Sequence, residues 1–367
     1  MTSETAGPDL RAAFHLDEDP SLSRSTVDRR EQLRVDPAHS RALWPDARVV
    51  LVDPHGRTPV ERGEGGSVTL LMAPTSTLGD ETPDDAVLLG EEDGTAYWAV
   101  RVPDPAEAHA NDAGSGFMTA EQWSRAGGGP DHENWTDLRT SGADLDARGA
   151  GLLTTAVALL NWHDSSRFCA RDGSETYAVK AGWARLCTAH QHEEYPRTDP
   201  SMICLVHDGT AGDEARVLLA RQPIWPAGRY SVLAGFVEAG ESLEACVARE
   251  CAEEVGVDVH TISYLGSQPW PFPRSLMIGF SAVADPAQPI KLQEGEIEGA
   301  RWVTRAELRE ALEAGEWSHR DGGVGGRGQS AQGVGGTAFE AGAGRELILP
   351  GGVSIARAML EAWAAAG

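Results

Sequence analysis

The chain has 367 residues, enough for two or three domains, and a formal net charge of −25. That balance argues against a surface built to grip a nucleic-acid duplex, whose affinity is mostly a lysine and arginine effect, but leaves room for a local basic pocket around a small anion. No stretch approaches a membrane span, the first thirty residues are too polar for a secretory signal, and five cysteines in mostly apolar contexts make no disulfide framework, so the expectation is a soluble cytoplasmic protein with no membrane partner.

Residues 1 to about 45 are polar and carry one short helical pattern, around Arg24 to Arg34. From Ala47 the pattern becomes strand-like: ARVVLVD, SVTLLMA (67–73), AVLLG (86–90) and TAYWAVRV (95–102). The last two flank Glu91-Glu92-Asp93-Gly94, whose Asp-Gly pair predicts a hairpin turn. Residues 1–150 therefore read as a mixed, β-rich domain with helices. They contain no motif that names a chemistry and suit a scaffold or a dimer contact. Asp146 to His163 is a helix apolar on much of its surface, hence expected to be buried.

Cys169-Ala170-Arg171-Asp172 follows, and fourteen residues separate Asp172 from Cys187-Thr188-Ala189-His190. Two such knuckles at this distance have the layout of a zinc ribbon, which normally carries four cysteines. Here the second positions are Asp172 and His190, both able to ligate zinc, and His192 is a spare imidazole nearby. An Asp-Gly pair also turns the chain without metal. Two readings stand: a Zn²⁺ site of Cys169, Asp172, Cys187 and His190, or a ribbon-shaped loop held by packing. Residues 151–195 form this linker helix and ribbon, and 196–367 the last domain.

In the last domain SMICLVH and ARVLLAR read as strands, and SVLAGFV delivers the chain to GFVEAGESLEACVARECAEEVGV (235–257). Leu243, Val247, Cys251 and Val255 recur every four residues, which predicts an amphipathic helix with Ser242 as N-cap and Gly256 closing the far end. Glu250, Glu253 and Glu254 share one face of it. Like charges so placed repel, and a hard divalent cation with oxygen ligands is the natural compensation; a solvated acidic face is the plain alternative. HTISYLGSQ and LMIGFSAVA (276–284) are further strands, and helices follow at about 305–314 and in the final SIARAMLEAWAAA. Between those strands lies Ser267-Gln268-Pro269-Trp270-Pro271-Phe272-Pro273-Arg274-Ser275. Its prolines should hold Gln268, Trp270 and Phe272 in a stiff extended path, suited to a binding wall or to core aromatics at a turn. Residues 321–346 have the composition of a mobile loop. Within them Gly323-x-Gly325-x-x-Gly328 is a chance match to a dinucleotide fingerprint, since no strand precedes it.

Gly235, Glu241, Arg249-Glu250-Cys251, Glu253-Glu254 and Gly256-Val257 together match the frame GX5EX7REUXEEXGU, with Cys251 in the first apolar place. This resembles the Nudix box. SQPWPFPxS after the box, and a ribbon followed by Tyr195-Pro196-Arg197, resemble the NADH pyrophosphatase subfamily over about residues 160–320 and the C-terminal helix. The resemblance implies an α+β chain: an N-terminal mixed β-rich domain, a short zinc-ribbon-like segment, and a C-terminal Nudix α/β/α sandwich with a mixed sheet. It implies hydrolysis of NADH or NAD⁺ to (reduced) nicotinamide mononucleotide and AMP, and removal of NAD caps from RNA 5′ ends. Glu250, Glu253, Glu254 and Glu296 would hold Mg²⁺ or Mn²⁺, with Glu254, then Glu296, as base. Tyr195, Phe236, Gln268, Trp270, Ser275 and Ala356 would contact the dinucleotide, Arg249 would pair with Glu241 to fix the loop, and a homodimer would build the site from both chains. Rival readings are a Nudix hydrolase of ADP-ribose or coenzyme A, and a non-catalytic dinucleotide sensor.

Overall fold

The computed structural model describes residues 14–63, 66–104, 134–315 and 347–367. The glycine-rich run 321–346 and its GxGxxG lie outside these described residues. Of the helix expected around Arg24 to Arg34, only its end forms, as α1 (Glu31–Val35), and a second short helix, α2 (Pro37–Ala42), follows it. Arg30 lies in the left-handed region with φ 45°, which bars a helix from running through it. Asp36 is extended and caps α2 by accepting from the Ala38 and His39 amides.

The strands β1 (Arg48–Val52), β2 (Arg57–Arg62), β3 (Val68–Leu70), β4 (Met72–Pro74), β5 (Val87–Glu92), β6 (Thr95–Arg101) and β7 (Trp135–Asp137) form two sheets, β4-β1-β6-β5 and β3-β2-β7. β1 runs parallel to β6 and buries four of its five residues, as a strand covered on both faces must. The β5–β6 hairpin turns at Asp93 and Gly94, with φ of 51° and 77°. Two successive left-handed residues are what a two-residue turn between twisted strands requires.

Helix α3 (Leu138–Ser141) is followed by α4 (Ala147–Ser165), capped by the Asp146 carboxylate, which accepts from the Gly149 amide at 2.6 Å. Leu152, Leu153, Ala156, Val157, Leu159 and Leu160 of α4 are buried against Val50, Val52, Val87 and Leu89. The helix thus closes the N-terminal core before the chain enters the ribbon strands β8 (Thr176–Val179), β9 (Ala184–Cys187) and β10 (Glu193–Glu194).

The last domain is built on β11 (Asp199–His207), β12 (Arg216–Arg221), β13 (Leu233–Phe236), β14 (His260–Trp270), β15 (Ser275–Val283) and β16 (Gly299–Thr304). The sheet order is β14-β15-β11-β12-β16, with β13 also paired to β11; β11 and β15 are parallel and the other pairs antiparallel. Alternation along β11 divides the core. Met202, Cys204 and Val206 pack with α5 (Leu243–Val255), whereas Ile203 and Leu205 pack with α6 (Arg305–Glu313) and α7 (Ile355–Ala365). The result is a mixed sheet between helical layers. The proline-rich stretch differs from the extended loop expected. Ser267–Trp270 completes β14, with Trp270 opposite Ser275, and the chain turns over 271–274. β14 is an edge strand, where a proline's missing N–H costs no ladder bond.

Because Leu153 is fully buried at the seam of α4 and the N-terminal sheet, Leu153→Ala should lower the unfolding free energy by about 3 kcal/mol. Chemical denaturation read by tryptophan fluorescence checks this; a loss under ~1 kcal/mol would contradict the packing described.

Candidate active site and ribbon cluster

The site begins at the junction of β13 and α5. Ser242 caps the helix by accepting from the Ala245 amide at 3.2 Å, and Gly256 ends it with φ 70°. The intervening loop is held by Arg249. Its Nε and one terminal nitrogen donate to the two Glu241 oxygens, each at 2.8 Å, and to the Phe236 carbonyl at 2.9 Å. The other terminal nitrogen reaches Glu250 and Glu253, both at 2.9 Å. This fork holds the Glu241 carboxyl down to about 2, the bond from Arg249 being the main cause.

Gly235 explains itself by proximity. A Cβ there would stand 2.0 Å from the carboxyl carbon of Glu250. Only glycine lets the strand pass so close to that carboxylate.

Glu254 is 2% exposed, and its Oε2 has no hydrogen-bond partner among the described residues. Burial, then Glu250 and Glu296, pushes its pKa up to about 8. Glu250 is also raised, by burial first, with Glu253 and Glu296 adding to it against Arg249. Glu296 is brought near by a loop laced to the end of α5, where the Gln293 amide donates to the Glu254 carbonyl at 3.0 Å and Lys291 to Val255 at 2.8 Å. Glu253 and Glu296 are exposed and Glu250 is half-buried; Glu253, like Glu250, is engaged by Arg249. Oxygen-only donors that repel one another, one of them buried with an orphaned oxygen, fit a hard divalent cation.

A cavity of about 340 Å³ opens between α3 and the last domain. Arg139 of α3 stands 4.1 Å from the Phe272 ring centre and 5.8 Å from that of Trp270, while Arg229 lies 5.1 Å over Trp225. Trp270 and Phe272 themselves meet edge-on at 5.0 Å. Both guanidiniums have lowered pKa values, from loss of water first and, for Arg229, from Arg139. Two facing cations beside indole rings suit an anion carrying flat rings. Sequence reading missed Arg139 and Arg229, which sit in no motif; their only mark is positive charge in an acidic chain.

The expected contact residues are distributed unevenly. Trp270 lines the cavity, Ser275 lies opposite it in the ladder, and Ala356 is buried just after Ser354 and Ile355, which also line it. Gln268 is fully buried, with its amide nitrogen donating to the Val353 carbonyl at 2.9 Å, so it ties β14 to the start of the C-terminal helix. Tyr195 and Phe236 stand outside the cavity wall, 56% and 59% exposed. Tyr195 is thus absent from the wall of the cavity that Trp270 lines. The Tyr195 hydroxyl is instead engaged by Glu193 and by Lys180 Nζ at 2.8 Å.

In the ribbon, ligating atoms of Cys169, Asp172, Cys187 and His192 lie within 4.8 Å of one another. The expected set had His190 in place of His192. His190 is exposed, and its Nδ1 is 2.6 Å from Asp172 Oδ2. The reason is backbone geometry. Gln191 adopts φ 56° and returns the chain, so that the Cys187 amide donates to the His192 carbonyl at 2.8 Å.

Below its ordinary value of 4.5 the Glu254 carboxyl is protonated folded or unfolded; between 4.5 and about 8 the fold must hold a proton that the unfolded chain releases. Metal-free protein should therefore lose thermal stability as pH rises through that window. Glu254→Gln should flatten the slope, and Mn²⁺ should reverse it in the wild type. Melting curves from pH 5 to 8 check this; equal slopes in both proteins would contradict the assignment.

Comparison with known proteins agrees with this geometry. The NUDIX domain profile matches residues 197–321, the NADH pyrophosphatase-like rudimentary NUDIX domain residues 41–162, and the NADH pyrophosphatase zinc ribbon domain residues 164–195. The chain is 43% identical over 361 residues to an NAD-capped RNA hydrolase NudC of Mycobacterium bovis, covering 96% of this chain and 97% of that one. It is 45% identical over 181 residues to the human NAD(P)H pyrophosphatase NUDT13, covering 49% of this chain and 50% of that one. The chain therefore belongs to the Nudix hydrolases, in the three-part NADH pyrophosphatase arrangement.

Proposed function

We propose that the chain hydrolyses the pyrophosphate bridge of NADH and NAD⁺, releasing (reduced) nicotinamide mononucleotide and AMP, and that it removes NAD caps from RNA 5′ ends. The observation that carries this is the buried, unpartnered Glu254 oxygen flanked by Glu250 and Glu296. The relatives named NAD-capped RNA hydrolase and NAD(P)H pyrophosphatase support it.

Bound Mg²⁺ or Mn²⁺ would supply charge neutralisation at the bridge and a more acidic water. Glu250, Glu254 and Glu296 would hold the ions, and Arg249 keeps Glu250 and the loop in place for them. One of the clustered carboxylates, Glu254 first, accepts the proton as a water oxygen bonds to phosphorus and the bridging P–O bond breaks. Arg139 and Arg229 hold the anionic body of the dinucleotide, and Trp270 offers a stacking face. Exposed Tyr195 and Phe236 support a homodimer in which one chain's Tyr195 completes its partner's site. The five cysteines, all unpaired, support a cytoplasmic setting, and no described helix is long and apolar enough to cross a membrane.

Incubated with Mn²⁺, the protein should convert NADH to AMP and reduced nicotinamide mononucleotide, and NAD-capped RNA to 5′-monophosphorylated RNA, as seen by chromatography and mass spectrometry. Glu254→Gln should slow both about 10³-fold without unfolding. Activity on ADP-ribose or coenzyme A alone would refute the substrate assignment. Sedimentation should give a dimer, and mixing Tyr195→Ala with Glu254→Gln chains should restore part of the activity; a monomer of full activity would exclude the shared site.

A further inference from the structure

A zinc ribbon ordinarily closes on four thiolates, two from each knuckle. This chain retains one per knuckle, Cys169 and Cys187, both buried. We propose that it rebuilds a tetrahedral zinc site from Cys169, Asp172, Cys187 and His192, the last lying outside both knuckle frames, with His190 holding Asp172 in place from outside.

The two knuckles share a backbone design. In the first, the Gly173 amide donates to the Cys169 carbonyl at 2.9 Å, and the Cys169 amide to Ser174 at 2.8 Å. In the second, the Gln191 amide donates to Cys187 at 3.1 Å, and the Cys187 amide to His192 at 2.8 Å. Gly173 and Gln191, at equivalent places, both have positive φ, 73° and 56°. A glutamine takes that conformation at a cost, and here it carries His192 toward the thiols while His190 stays outside.

The spacing fits an ion. Zinc bonds of about 2.3 Å to sulfur and 2.0–2.1 Å to nitrogen or oxygen place tetrahedral neighbours about 3.5 Å apart. Cys187 Sγ lies 3.5 Å from Asp172 Oδ2, and Cys169 Sγ lies 3.8 Å from His192 Nδ1. All other pairs lie within 4.8 Å, so closing the set needs movements of no more than about an ångström. The Cys169 thiol, which donates to Glu194 at 3.4 Å, and the Cys187 thiol would each release a proton to solvent on binding. His190 supplies the outer contact that orients a ligating carboxylate, its ring N–H donating to Asp172 over 2.6 Å. Its ring also stacks on His192, with centres 5.6 Å apart.

The test uses the full chain and metal content. Protein produced with zinc should carry about one zinc per chain beyond any Mn²⁺ site, by elemental analysis after a Mg²⁺ wash. Cobalt in its place should give the visible bands of a tetrahedral ion and thiolate charge transfer of an intensity set by two sulfurs. His192→Ala should abolish stoichiometric metal, whereas His190→Ala should keep the spectrum and weaken binding about 10-fold. Zinc-free wild type, or metal kept in His192→Ala and lost in His190→Ala, would overturn the assignment. Circular dichroism of each variant separates loss of the ion from loss of the fold, and Cys187→Ser, retaining a weak oxygen donor, should shift the charge-transfer band even where metal remains. None of these readouts depends on hydrolysis, so the site can fail while the substrate assignment holds, and the reverse.

Discussion

Mutual repulsion among Glu250, Glu254 and Glu296 is the constraint around which the catalytic half is arranged. Nothing in the hydrophobic core asks for buried carboxylates, and Glu254 with an orphaned oxygen costs stability in the metal-free chain. The fold tolerates it because Arg249 answers part of the charge, spending its donors on Glu241, Glu250, Glu253 and the Phe236 carbonyl. The capped α5 and the absent side chain at Gly235 keep the carboxylates close where independent side chains would spread apart. In the function proposed, a divalent cation entering the cluster would relieve that crowding.

The second arrangement has the opposite sign. In a chain of net charge −25, Arg139 and Arg229 line one cavity; loss of water lowers the proton affinity of both, and Arg139 lowers that of Arg229 further. In the function proposed, the acidic cluster would hold the ions that weaken the phosphate bridge, and the two arginines would take the charge of the dinucleotide's body. Overall charge therefore says little about what such a molecule binds, because the field at a site comes from a few residues within several ångströms.

What could be read from the sequence follows the range of the forces involved. The box helix was legible because its cap, its apolar period, its carboxylates and Gly256 lie within a few turns of one another. The Asp93-Gly94 hairpin was legible for the same reason. β2 was not, since RTPVER mixes charge and proline and has no period, and β7 is only three residues long. Arg139 gains its role from rings more than a hundred residues away, which no local pattern records. His192 was passed over for His190 because spacing alone favours the third residue after a cysteine. A single left-handed residue, Gln191, brings His192 toward the two thiols, and such a conformation for glutamine has no signature in sequence. The prolines of 269–273 were read as an independent stiff loop, whereas pairing with β15 absorbs half of it.

The cavity wall has one further consequence. Arg139, Thr140, Ala143 and Asp144 belong to a domain that contributes no residue of the carboxylate cluster, while the remaining wall comes from the sandwich. In the function proposed, recognition would be the joint property of two folding units, and a domain bare of catalytic groups would be kept in place by geometry, since to discard it would be to lose an edge of the substrate's outline.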